Sequence, residues 1–335
     1  MKPSRHALLF CGIVAGGAFF FGVVSHAQNG QFSEVRRLTN REVAFRFTAP
    51  VGTNYRIDVA TNFPADTNFP RWSALLTLQS ATVNQYTDSA APFVSTRFYR
   101  AEQLTNAAAL TGDHLGTTNG DAVIHPIGHA SFVMSWNGKM IYNDPTNGAA
   151  PYASFPRADV ILVSHNHGDH YDISTINAVR APGGIIVVPQ VIYNSTAFAS
   201  LRPNAIALPY GVSTNVMGTT IEAIPAYNSN HPYTNNNAYV ITLGGKRLFT
   251  SGDCGDGPEI RALTNIDVAF LCMNLPFTMN PSSATNVIRA MRPKIVYPYH
   301  FKEGSGINSV YTNAAYFKQL LGADLGIEVR LRKWY

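Results

Sequence analysis

The sequence predicts a mixed α/β protein in two folded parts, a small all-β sandwich followed by a larger α/β domain. Residues 31–106 carry only strand and turn patterns, with alternating apolar positions broken by Pro, Gly and Asn. Beyond a stretch of small residues the pattern changes, and apolar strand-like runs begin to alternate with helix-like ones. The 335 residues also exceed the common size of one domain, which favours two units over one. A hydrophobic fraction of 46% with only 13% charged residues describes a packed protein with a neutral-polar surface and excludes a disordered chain.

Residues 1–27, "MKPSRHALLFCGIVAGGAFFFGVVSHA", have a basic start at Lys2 and Arg5, an apolar stretch over 7–24 and small residues near Ala27. They read as a signal peptide cleaved after about residue 27, and the chain is expected to be exported, to the periplasm or the extracellular space. An uncleaved anchor is the rival, since the apolar stretch approaches bilayer-spanning length; cleavage is favoured by the small residues that interrupt it. A lipoprotein signal is disfavoured because Cys11 follows the bulky Phe10. After cleavage no stable membrane insertion is expected. Losing two cations and no acid takes the net charge from +5 to +3. With no Lys/Arg cluster, that excludes an electrostatic nucleic-acid footprint. Cys254 and Cys272 remain, too few for a disulfide framework, although an exported chain could oxidise that one pair.

Within 31–106 the strand runs are "EVAFRFTAP", "NYRIDVATN", "WSALLTLQS", "NQYTDS" and "STRFYRAEQL". The order of a "Y.I..ATN" strand, a following "W..L" and a terminal "RFYRA" resembles fibronectin type III-like accessory modules of secreted bacterial proteins. No ionisable cluster occurs there. Residues 107–120, small and Gly-rich, are read as a linker. In the second domain, 121–335, "AVIHPIGHASFVMSW" and "KMIYND" form an expected hairpin around Asn137-Gly138. Helices are predicted at 173–180, 258–264, 282–291 and 312–321. Strands are predicted at 159–163, 184–189, 220–225, 238–243, 247–250, 268–272, 294–297 and 327–332.

Four places in this domain set metal-competent side chains just past an apolar strand. The densest is "SHNHGDHYD", residues 164–172, which spends three of the chain's ten histidines at one strand end. His165 and His167, two apart, can point the same way from an extended segment. Gly168 then lets the chain turn so that Asp169 and His170 approach from another side. Unpaired, such a cluster could not be buried. The other three are His231 in "IPAYNSNHP", Asp253 in "FTSGDCGD" and His300 in "YPYHF". This imidazole and carboxylate mixture suits zinc, with manganese or iron as substitutes.

In their order, these motifs resemble the metallo-β-lactamase fold superfamily of hydrolases, whose HxHxDH signature stands here as His165, His167, Asp169 and His170. "IGHASF", "YNDP", "PAYN", "LPFTM" and "YPYH" are similar to a metal-dependent hydrolase branch related to bacterial ascorbate-phosphate lactonase and to N-acyl-phosphatidylethanolamine phospholipase D. The resemblance implies an αββα sandwich over 121–335 with a two-metal site at one edge. His165, His167 and a third histidine would hold the first ion; Asp169, His170 and His300 the second; and Asp253 would bridge them. The residue directly after "PAY" is Asn228, so the third histidine is assigned to His231. Asp144 in "YNDP" resembles a strand-end carboxylate that orients ligands by hydrogen bonding. His125 and His129 read as supports rather than ligands, and Cys254 and Cys272 as packed core.

The expected activity is that of an exported dinuclear hydrolase in which a metal-bridging hydroxide attacks an ester, lactone or phosphodiester, with Asp169 and Asp253 as the catalytic carboxylates. The bridging Asp253 makes antibiotic hydrolysis a weaker expectation, because β-lactamases of this fold commonly lack it. The expected substrate is a small or lipid-like molecule bound by the loops 228–238 and 274–281, with Tyr233, Phe277 and Met279 as apolar contacts. Two alternatives stand beside this reading. One is a secreted binding or adhesion protein with structural metals; the other is an iron-dependent redox enzyme on the same fold.

Overall fold

The computed structural model describes residues 10–14, 19–22, 30–61, 72–82, 84–104, 110–233, 235–301, 312–322 and 325–334. It divides into two compact units, Met1–Gly116 and Thr117–Tyr335. Of the segment expected to be the export signal, Phe10–Val14 and Phe19–Gly22 are short antiparallel strands, and the rest lies outside the described residues. No described helix is long and apolar enough to cross a membrane.

The first unit is all-β. One sheet holds Gln31–Arg37, Val43–Thr48 and Asn84–Asp88. In the other, Asn54–Ala60 runs between Ser73–Gln79 and Thr96–Gln103. Alternate residues of both sheets, among them Val43, Phe45 and Phe47 with Tyr55, Ile57 and Tyr99, share one core, as strand periodicity requires. The Gln31–Arg37 strand is not apparent from the sequence because five of its seven residues are exposed and its second half is rich in charge. Part of the expected linker is also strand: Gly112–Thr117 pairs with Ser73–Gln79, and its alternation is carried by the buried Asp113 and Leu115 among small residues.

In the second unit two sheets lie face to face. The first runs, in spatial order, Ala205–Ala207, Arg180–Val188, Ala158–Leu162, Lys139–Asn143, Ser131–Trp136 and Gly120–Gly128. The other runs Ser213–Val216, Thr219–Pro225, Asn237–Leu243, Lys246–Thr250, Val268–Cys272, Ile295–Tyr299 and Glu328–Val329. Phe132 of one stacks on Phe270 of the other with ring centroids 4.1 Å apart, and the Tyr239 hydroxyl donates to Val163 O across the gap. The fully buried Ile161, Val187, Ile241 and Phe249 show why these strands read as continuous apolar runs.

The hairpin at Asn137-Gly138 forms as expected, with φ of 48° and 71° at the two turn residues and Trp136 opposite Lys139. The run before it does not stay one strand. It breaks between Gly128 and Ser131, so that His129 stands in a turn at a strand end. The four predicted helices appear as Ile173–Val179, Pro258–Arg261, Pro281–Met291 and Thr312–Leu321. Asp172 caps the first by accepting from the backbone N–H groups of Ser174 and Thr175.

Candidate metal centre

Strand C-termini from both sheets converge on one edge of the second unit. The strand Ala158–Leu162 delivers Ser164 and the loop carrying His165, His167, Asp169 and His170; Lys246–Thr250 leads to Asp253, and Ile295–Tyr299 to His300. Thr219–Pro225 leads to the loop with His231. The Asn237 N–H donates to Ser164 O at 2.8 Å and so ties the two sheets together behind the cluster. Gly252 sits at φ +51°, and a Cβ there would lie 2.8 Å from Ser164 Cβ. Only glycine lets the chain pass this close to Ser164 while turning Asp253 inward.

The side chains fall into three overlapping sets whose ligand atoms lie within 4.8 Å of one another: His165, His167 and His231; His165, His170 and Asp253; and His129, Asp169, His170 and His300. Asp253 is central. Its Oδ1 lies 3.2 Å from His170 Nε2 and 3.4 Å from His300 Nε2, and its Oδ2 lies 3.4 Å from His231 Nε2 and 4.0 Å from His165 Nε2. Yet His165 Nε2, His170 Nε2, His300 Nε2 and Asp253 Oδ1 are all buried without a hydrogen-bond partner. Buried polar atoms are nearly always paired. Four that converge while missing one another's hydrogen-bond directions fit donors aimed at shared cations.

Hydrogen bonds behind the cluster fix which nitrogen each ring presents. His170 Nδ1 lies 2.8 Å from Asp144 Oδ2; a carboxylate only accepts, so Nδ1 carries the proton and Nε2 is left with its lone pair. Ser164 Oγ donates to the same Asp144 oxygen at 2.8 Å and stands 3.0 Å from His165 Nδ1. As a spent donor it accepts from that ring, which frees His165 Nε2. His231 Nδ1 lies 3.0 Å from Asn228 Oδ1, freeing His231 Nε2, which sits 3.2 Å from His167 Nδ1. Asn228 is thus the support of His231 and not its replacement.

Burial and neighbouring charge set the protonation of the cluster. Burial pushes His165 well below the ordinary imidazole range and lowers His231 and His129. His170 is raised well above that range: burial opposes the charge, but Asp253 and Asp144 outweigh it. His300 is raised in the same way by Asp253 and Asp169. Asp169 and the buried Asp253 are held far below the usual carboxylate range against desolvation, Asp169 by the neighbouring His129 and His300 and Asp253 by the charges of His170 and His300. Alternating acid and base in one buried cluster is electrostatically what a cation site requires.

Against known families, residues 123–300 match the Beta-lactamase superfamily domain. The chain belongs to the metallo-β-lactamase superfamily of metal-dependent hydrolases. It is 30% identical over 207 residues to the UPF0173 metal-dependent hydrolase of Thermococcus kodakarensis, an alignment covering 58% of this chain and 90% of the relative. The solved structure of a metal-dependent hydrolase from Parabacteroides distasonis is similar at 32% identity and a TM-score of 0.56, over 68% of this chain and all of the other. The metallo hydrolase Igni18 of Ignicoccus hospitalis shares the fold at 21% identity and a TM-score of 0.54, over 63% of this chain and 94% of that one.

In this hydrolase all seven residues expected as ligands, His165, His167, Asp169, His170, His231, Asp253 and His300, meet in the cluster. Asp144 stands behind His170 as expected. His125 lies apart, its ring 4.8 Å from Phe155. Cys254 and Cys272 are buried free thiols facing each other at 4.0 Å, and neither belongs to any of the three ligand sets. His129, expected as a support, lies with its Nε2 2.9 Å from Asp169 Oδ2; which ligand it supports is set by the strand break at Gly128–Ser131 and not by strand patterning.

Proposed function

We propose that this metal-dependent hydrolase is dinuclear and cleaves an ester, lactone or phosphodiester. His165, His167 and His231 would hold one ion; Asp169, His170 and His300 the other; and Asp253 would serve both. The convergence of buried, unpartnered ligand atoms around Asp253 carries the reading. Two bound divalent ions, zinc in the first instance and manganese or iron in its place, supply an activated water and a Lewis acid at neutral pH. Asp253 holds the two ligand sets in register through its two oxygens. Asp169, with its side chain 49% exposed, stands where it can take up the proton that an attacking water gives away.

The expected substrate is small or lipid-like. Asn228 joins the loop over the centre to its partner loop, donating from Nδ2 to Phe277 O at 3.0 Å, while Asn230 Nδ2 donates to Pro276 O at 2.9 Å. Around this clamp Tyr233, Leu275 and Phe277 are about half exposed, which supports an apolar group beside the scissile bond; Met279, expected among these contacts, is instead buried. Export on residues 1–27, the fibronectin-like character of the first unit and the absence of a nucleic-acid partner belong to the same proposal, supported by the signal-like start, the two-sheet sandwich and the dispersed charge.

Elemental analysis of the purified protein after loading with zinc or manganese tests the reading. About two ions per chain are expected in the wild type, falling in Asp253→Ala together with hydrolysis of a lactone and phosphodiester panel. One ion or none in the wild type under saturating metal would overturn it.

A further inference from the structure

Asp169 is the weak member of the ligand set on packing grounds. Its side chain is 49% exposed, against 4% for Asp253, so burial confines its rotation far less. Three ring nitrogens approach its Oδ2: His129 Nε2 at 2.9 Å, His300 Nε2 at 3.4 Å and His170 Nε2 at 3.8 Å. Only His129 meets it along a hydrogen-bond direction; the other two are buried atoms without such a partner.

His129 is itself held in place at a cost. Its backbone lies in the left-handed region at φ 55°, which residues with a Cβ avoid. It is kept there because its N–H donates to Trp334 O at 2.9 Å and its carbonyl accepts from the His300 N–H at 3.0 Å. Its ring packs on that of His300 with centroids 3.7 Å apart. A non-glycine residue strained at a strand end, tied by backbone to one ligand and by side chain to another, is built to hold something in position.

We propose that His129 is the positioning residue of the second metal site, its Nε2–H holding Asp169 Oδ2 in the coordinating direction beside His170 and His300. His129 is not itself a ligand here, because the nitrogen facing the site is spent on the carboxylate. The inference rests on the dinuclear reading above. Orienting partners of this kind contribute about 10–100-fold to metal affinity.

The test uses the full-length protein stripped of metal and titrated with Co2+, following the ligand-field absorption and, by dialysis, the number of ions bound. His129→Phe is expected to bind the first ion as the wild type does and the second about 10–100-fold more weakly. His129→Gln, which keeps an N–H donor, is expected to restore most of the loss. In an Asp169→Asn background His129→Phe should add no further loss. Unchanged affinity for the second ion in His129→Phe, or no rescue by His129→Gln, overturns the proposal. Loss of both ions together in His129→Phe, with His129→Gln equally impaired, assigns His129 a general structural role and overturns it too. A single ion in the wild-type control would instead refute the dinuclear reading.

Discussion

Replacing Asp144 tests whether the site depends on ring orientation as well as on ligand identity. Asp144 is fully buried and accepts from the Ser164 N–H at 2.7 Å, the Ser164 hydroxyl at 2.8 Å and His170 Nδ1 at 2.8 Å. In Asp144→Ala the hydroxyl can turn to His165, but the Ser164 N–H and His170 Nδ1–H lose their acceptor. Two stranded buried donors cost about 2–6 kcal/mol. A further ~1 kcal/mol arises because alanine tolerates the φ of 42° at this position less well than aspartate. That sum is comparable with the whole stability of a domain, so Asp144→Ala is expected to fold poorly. Asp144→Asn separates the effects. Its carbonyl keeps the Ser164 N–H and its amide can donate to the hydroxyl, so stability should fall by only about 1 kcal/mol. The same amide now faces His170 Nδ1 as a donor and drives that ring to carry its proton on Nε2, the nitrogen meant for metal. Metal affinity should fall about 10–100-fold, measured by competitive zinc titration of the metal-free protein alongside urea unfolding. Wild-type affinity in Asp144→Asn would refute this account of the site.

Three further outcomes follow from the same geometry. Gly252→Ala adds a Cβ 2.8 Å from Ser164 Cβ at φ +51°. Strain and overpacking together should cost about 2–5 kcal/mol in chemical denaturation, and a loss under ~1 kcal/mol would contradict the close approach. Asn228→Ala removes the acceptor of His231 Nδ1 and should weaken the first ion about 10–100-fold, with Asn228→Asp close to wild type; equal affinities in all three proteins would count against that support. Metal uptake should also release protons. His170 and His300, raised by Asp253 and their other carboxylate neighbours against burial, hold a second proton more tightly than an ordinary imidazole and must give it up to bind metal. In the metal-free protein the stability from these two is complete below about pH 6.5 and is lost as pH rises through their raised values, whereas His165 and His231, lowered by burial, contribute above about pH 6.5 and lose that contribution as pH falls. Calorimetric heats of zinc binding near pH 7 should therefore depend on the ionisation heat of the buffer, and buffer-independent heats would contradict the assignment.

Much of this site was legible because its ligands sit where local patterns change. His165 follows a strand with no polar residue after Asp159, and His300 and Asp253 stand just past comparable strands, so an apolar run followed by a metal-competent residue was a sufficient signal. The Asn137-Gly138 turn was equally plain, since that pair meets the φ > 0 requirement of a tight hairpin. What stayed hidden depends on contacts remote in sequence. That Asn228 supports His231 is set by which atom of the amide meets Nδ1, and no spacing encodes it. The strands Ala205–Ala207 and Ser213–Val216 are short, with only Val216 of their residues buried, so pairing within their sheets defines them more than their own residues do. That His129 supports Asp169 in particular was hidden because the strand breaks at Gly128–Ser131, which no spacing in the sequence encodes.

The positions that break local rules are informative together. Among the described non-glycine residues with positive φ, His129, Asp144 and His300 all stand at this one centre, at 55°, 42° and 48°. Each ends a strand, and each is tied there by a backbone hydrogen bond to another part of the cluster or its scaffold: His129 to Trp334, Asp144 to Leu162 and His300 to His129. Left-handed histidine and aspartate cost about 1–2 kcal/mol apiece, and the unpartnered buried nitrogens cost more. The pairing of Asp253 and Asp144 with His170 and of Asp253 with His300 offsets part of that cost. The arrangement becomes favourable once cations meet the inward-facing lone pairs, so binding and folding of this edge are coupled. The local strain and the missing partners are thus both accounted for by metal binding at this edge.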